Sequence, residues 1–168
     1  MALVIAGDSY SVYKKNNSIS WVSQIAANTK IVSVDGHSNW DIMKALNELK
    51  PQPAIISLTH LKRLPYELTI RDGKHSKAHA THDRAVELNT KAAYHIVQQW
   101  KDAYVWSSFP HYESWPGVHF IPLYGENEMW IGDVGEFTQN SDYVNHLTEK
   151  GNRDLADQMN TWIRKNVK

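Results

Sequence analysis

Short apolar runs alternate with amphipathic stretches along this chain, and the two periods separate cleanly. Leu3, Val4, Ile5 and Ala6 make an unbroken apolar run that stops at Gly7, the mark of a first strand. Trp21, Val22, Ile25 and Ala26 recur at helical spacing, and the β-branched run from Lys30 to Val34 predicts a second strand. Trp40, Ile42, Met43, Leu46 and Leu49 define the next helix, which "KPQP" at residues 50–53 ends. Ala54 to Leu58 is a third strand, and residues 59–77 form a polar excursion without a period. Ala85, Leu88, Ala92, Ile96 and Trp100 predict a long helix over about 78–101, followed by strands at Ala103–Trp106 and Val118–Pro122. A closing helix spans Glu149 to Asn166, with Leu155, Ala156, Met159 and Trp162 facing inward. Strands alternating with helices predict a parallel sheet covered by helices on both faces. Ligands of such sheets sit outside the carboxyl ends of the strands, so Gly7-Asp8-Ser9, the stretch from Gly36 to Asn39, Thr59 and His60 are expected at one edge.

The length of 168 residues fits a single domain with a real core, and no internal repeat, low-complexity tract or linker divides it. Lys and Arg total 18 against 18 Asp and Glu, which gives no reason to expect a nucleic-acid or anionic-membrane partner. Absence of Cys excludes thiol catalysis, disulfides and thiolate metal sites. The first residues carry neither a basic lead nor a long apolar stretch, so neither a signal peptide nor a membrane span is expected, and a cytoplasmic location is the default.

Three blocks resemble the SGNH, or GDSL-type, hydrolase family. "GDSYS" after the first strand resembles the block that supplies a nucleophilic serine, here Ser9. "VDGHSN" after the second strand is similar to the block whose glycine donates a backbone N–H, here Gly36. "DYVNHLTEKGNRDLA" resembles the block that carries the Asp and His of the triad before the closing helix. The resemblance covers essentially the whole chain and implies a three-layer α/β/α sandwich with a five-stranded parallel sheet, flavodoxin-like in topology. Two departures stand out. Where the family reads Gly-x-Asn-Asp, the third strand runs into "ISLTH", which sets Ser57 at the Gly position, Thr59 at the Asn position and His60 at the Asp position. The family's Asp lies three residues before its His, whereas here Tyr143 stands there and Asp142 lies four before His146.

The resemblance implies a serine esterase that removes carboxylic acyl groups, acetyl among them, from a small or carbohydrate substrate. His146 would take the proton of Ser9, and Asp142 would orient the imidazole and stabilise its charged form. Backbone N–H groups of Ser9 and Gly36, with the Thr59 hydroxyl, would receive the oxyanion. Asp8, Asn39 and His60 are candidate pocket residues, and no cofactor or metal is implied. Each residue also has an ordinary structural use: Ser9 as a helix cap, Ser38 or Asn39 as caps after a Gly turn, Thr59 as a buried strand-end residue, and His146 as a helix-start residue. The departures favour, as the alternative, a weak or inactive binding module on the same scaffold. His75, His79 and His82, spaced i, i+4 and i+7 beside Asp72 and Asp83, raise a metal-dependent hydrolase as a third option. A flavodoxin-like nucleotide binder lacks its Gly-rich phosphate loop here. Late aromatics, namely Trp106, Phe109, Tyr112, Trp115, Tyr124 and Trp130, suit core packing first and sugar stacking second.

Overall fold

The apolar runs in the first 120 residues of the chain pair with one another in a single direction. In the computed structural model, β1 (Leu3–Ala6), β2 (Thr29–Ile31), β3 (Ala54–Ser57), β4 (Ala103–Ser107) and β5 (His119–Phe120) form one parallel sheet in the order β2-β1-β3-β4-β5. The structure describes residues 2–7, 20–33, 37–66, 79–121, 130–131, 146–147 and 149–167; of 79–82, 130–131, 146–147 and 149–150 it describes the backbone alone. Register runs Ile5 with Ile31, Ala6 with Ile56, Ser57 with Trp106, and Ser107 with Phe120.

Strand alternation divides the core in two. Leu3, Ile5, Ile55 and Trp106 point to one face, where they meet Trp21, Val22 and the inner side of α3 (Glu149–Asn166) through Leu155, Ala156 and Met159. Val4, Ala6, Ala54, Ile56 and Val105 point to the other, against α1 (Asn39–Asn47) and α2 (His79–Gln99). Both faces of β1 and of β3 are therefore buried, which is why these two strands read as continuous hydrophobic runs rather than alternating ones. Among the described residues, no helix is long and apolar enough to cross a membrane.

All three α-helices, α1, α2 and the closing α3, fall within a residue or two of their expected bounds, and so do β1, β3 and β4. β2 is shorter than the run from Lys30 to Val34, and β5 shorter than Val118 to Pro122; Val34 and Pro122 lie outside the described residues. The helical spacing of Trp21 to Ala26 gives way to one turn of 3-10 helix, Trp21–Gln24. The cause is tertiary. Asn152 Oδ1 accepts the Trp21 N–H at 2.9 Å, Asn160 Oδ1 accepts the Ala26 N–H at 2.9 Å, and Asn160 Nδ2 donates to the Gln24 carbonyl at 3.0 Å. Side chains of α3 thus take the Ala26 N–H and the Gln24 carbonyl, backbone groups that a longer helix would have used internally, as well as the free N–H of the first residue. A short antiparallel pair, β6 (Trp130–Ile131) and β7 (His146–Leu147), was not anticipated by the apolar pattern.

Entry into β5 depends on one turn. Val118 N–H donates to the Trp115 carbonyl at 3.2 Å across Pro116-Gly117, and Gly117 has φ +79°. Proline before a positive-φ glycine is the type II arrangement. A β-carbon on Gly117 would lie 2.7 Å from Val97 Cγ1 in α2. Gly117→Ala is therefore expected to lower stability by about 1–2 kcal/mol, from the left-handed backbone alone before any clash. A urea denaturation midpoint measures this; an unchanged midpoint would show that the turn can relax freely.

Candidate functional site

Parallel strands deliver all their exits to one edge, and there the described residues form a laced platform. Connections from β1 and β3 leave toward opposite faces of the sheet: the first through Trp21–Gln24 on the α3 side, the second through α2 on the other. Adjacent strands with divergent exits open a crevice between them. Gly7 stands at the end of β1 beside the exit of β3, where Leu58, Thr59 and His60 follow.

The β3 exit is held from several sides. Asn39, the first residue of α1, is fully buried and accepts the Thr59 N–H at 2.8 Å through Oδ1. Its Nδ2 donates to the Tyr112 hydroxyl, which in turn donates to the Thr59 carbonyl at 3.1 Å. Tyr112 is wholly buried, and burial pushes its hydroxyl well above the usual phenol range. Ser107 Oγ donates to the Leu58 carbonyl at 2.9 Å. Further along, buried Asn89 of α2 accepts the Trp40 N–H and donates to the carbonyls of Leu61 and Arg63 at 2.8 and 2.7 Å. α1 starts on a capping box in which Ser38 and Asp41 exchange bonds, and Asp41 also accepts the Tyr66 N–H. Ser38, not Asn39, is the cap, which releases the Asn39 amide for the strand exit.

On this platform sits a cluster of three rings. His60 meets Phe109 edge-on at 5.3 Å and His111 edge-on at 5.1 Å, while Phe109 and His111 stack at 5.9 Å. His60 Nδ1 accepts the Lys62 N–H at 3.0 Å. Burial, then the charges of Lys62 and Arg63, lower its basicity. His111 is held at about 4, first by burial and then by His60. Its Nε2 is buried without a hydrogen-bond partner among the described residues. Both rings are thus neutral near pH 7.

The sign of the pH effect follows. A histidine with a folded pKa below its unfolded value near 6.5 leaves the unfolded chain with more bound protons as pH falls. Stability is full above about pH 6.5 and declines toward pH 4. The loss expected from His111 is on the order of 1–2 kcal/mol, less than the full shift because water screens a half-buried ring. Comparing melting temperatures at pH 7.5 and 5 for the wild type and His111→Phe tests this. The variant is expected to have the flatter profile, and equal slopes would remove His111 as the cause.

Of the expected site residues, Asp8, Ser9, Gly36 and Asp142 lie outside the described residues, as do Asp72 and His75. The backbone of His146 is described and lies in β7, opposite Ile131 and three residues before α3. Thr59 and Asn39 are both 0% exposed. Neither offers surface to a ligand from solvent, so Asn39 is a strut of the platform rather than a lining of a pocket. His60 is half-buried, at the exit of β3. Helix α2 begins at His79, so His79 and His82 share it, and no group of three or more metal-ligating side chains occurs among the described residues. Trp106 and Tyr112 are internal and cannot stack on a sugar. The residues that sequence reasoning missed are His111, whose ring meets His60, and Asn89, whose hydrogen-bond partners lie 26 to 49 positions away. A groove of about 320 Å³ between Pro53, Lys101, Asp102 and Trp162 lies at the opposite, amino-terminal edge, away from all of this chemistry. Set against known proteins, the chain matches no protein-family model and no curated sequence.

Proposed function

We propose that the chain is a serine ester hydrolase of SGNH type, with its site at the crevice between the exits of β1 and β3. The observation that carries the reading is positional. The 2-1-3-4-5 strand order, that of flavodoxin-like folds, sets Gly7, which ends β1 and opens the "GDS" of the sequence, at the same edge as "LTH" after β3, the switch point where such sheets bind ligands. Ser9 is the nucleophile, His146 the general base and Asp142 its orienting carboxylate. The N–H groups of Ser9 and Gly36 receive the oxyanion. The substrate is a small ester or an acylated carbohydrate, acetyl being one candidate acyl group.

A non-catalytic binding module on the same scaffold is the second reading, favoured by the complete burial of Thr59. A fluorophosphonate probe and a short-chain aryl ester, each with and without chelator, separate the readings. Labelling and turnover that vanish in Ser9→Ala and ignore chelator are the expected result. No labelling and no turnover would establish the binding module, and turnover sensitive to chelator would move attention to the histidines around His79.

A further inference from the structure

We infer that the groove at the amino-terminal edge of the sheet is a carbohydrate-binding site, taking one or two neutral sugar rings against Trp162. It lies opposite the strand exits, is built from described residues, and does not depend on the Ser9 reading.

Three segments meet in the groove. Pro53 leads into β3, Lys101 and Asp102 lead into β4 at Ala103, and Trp162 and Asn166 belong to the final residues of α3. Backbone bonds fix its floor: the Pro53 carbonyl accepts the Val4 N–H at 3.0 Å, the Trp100 carbonyl accepts the Ala103 N–H at 3.0 Å, and Ala54 pairs with Ala103. Its wall is equally firm. Leu155, Met159 and Ile163 anchor α3 in the core, and the Trp162 ring leans on Tyr104 at 5.6 Å, which itself stacks on His119 at 4.2 Å. The groove is therefore formed before a ligand arrives, and binding has little ordering to offset.

The lining chemistry selects the ligand. Lys101, Asp102 and Asn166 are exposed, and neither Lys101 nor Asp102 makes a hydrogen bond or ion pair with a described residue. Asn166 donates through Nδ2 to the Trp162 carbonyl at 2.8 Å, which leaves its Oδ1 to accept. One ammonium beside one carboxylate favours a neutral ligand, since a charged one gains from the first head and loses to the second. The Lys101 ammonium only donates, whereas the Asp102 carboxylate and the Asn166 oxygen only accept. A hydroxyl does both, so the hydroxyls around one sugar ring satisfy all three heads together. Trp162 is half-buried, and its uncovered ring surface gives apolar contact to the C–H face of a pyranose. The volume of about 320 Å³ stands near the lower end of ligand sites, roughly 300–1,000 Å³, which suits a mono- or disaccharide. A nucleotide would stack on the same indole, but its phosphate would also meet Asp102. A sugar held here is remote from the strand exits, so the site anchors a glycan and takes no part in bond cleavage.

Cellobiose, chitobiose and xylobiose are titrated into the isotope-labelled full chain while the indole N–H resonances are followed. The Trp162 signal is the one missing from Trp162→Phe, a variant that keeps a ring against Tyr104. The expected result is a saturable shift of that signal with at least one disaccharide, and affinity about three- to tenfold weaker in Asp102→Ala and in Lys101→Ala. Both of those side chains are exposed, so neither substitution threatens the fold. A Trp162 signal that none of the three disaccharides moves, up to their solubility, would overturn the site. So would saturation by adenosine monophosphate in place of the sugars, or binding that both alanine variants leave unchanged. None of these outcomes involves ester turnover, so the hydrolase reading stands or falls separately.

Discussion

Ser9→Ala and His146→Ala are each expected to reduce ester hydrolysis by about 10⁴–10⁶-fold, and the double variant to fall no further. On the proposed mechanism the imidazole acts by removing the serine proton, so a base without a nucleophile has nothing to activate. The two losses are one loss counted twice. Asp142→Asn is expected to cost about 10⁴-fold through the wrong imidazole tautomer. Initial rates on the aryl ester measure all four proteins, and Ser9→Ala removes a single oxygen, which makes it the cleanest variant. Losses that multiply in the double variant would show that Ser9 and His146 work separately. His146 enters this test from β7, where pairing with Ile131 and the start of α3 three residues later fix its backbone on both sides.

Asn39→Ala carries the largest expected effect on stability, about 3–4 kcal/mol, a large share of the 5–15 kcal/mol typical of a domain. The amide makes bonds to the Thr59 N–H, the Thr59 carbonyl and the Tyr112 hydroxyl, all in a site without solvent. Truncation leaves a buried N–H and a phenol short of partners, and each such group costs roughly 1–3 kcal/mol. Tyr112→Phe removes one member of the network and is expected to cost about 1–2 kcal/mol. Because the two side chains touch, their effects should not add in the double variant, whose loss falls short of the sum. Urea midpoints for the four proteins test this. An Asn39→Ala midpoint within error of wild type would mean that the strand exit is held by something other than this amide.

How far the chain could be read in advance varied with the range of the interactions. The closing helix was legible at both ends because Leu155, Ala156 and Met159 repeat on one face and all three are buried against the sheet. β1 and β3 were legible because both of their faces are apolar. The segment from Trp21 to Ala26 was misread as a helix because its apolar spacing is helical while its backbone partners, Asn152 and Asn160, lie over 130 residues away. β6 and β7 were missed for a related reason: two-residue strands pair through their backbone and leave almost no side-chain period. At the candidate site, the edge was legible from strand polarity alone. The fate of individual side chains was not. Asn39 and Thr59 are polar residues at a strand end or helix start, where pocket lining and internal bracing leave the same trace in the sequence. Asn89 sits in α2 with the look of a surface amide, yet is completely buried.

By itself the sequence determined the class of fold and the bounds of the long helices, since each of these rests on local period or on residues adjacent in the chain. Tertiary structure alone decided which polar groups at the strand-exit edge are consumed and which remain exposed. A hydrogen bond between Asn39 and Thr59, or a ring contact between His60 and His111, exists only after distant segments meet. Burial then makes those bonds obligatory, because a polar group without water must find its partner within the protein.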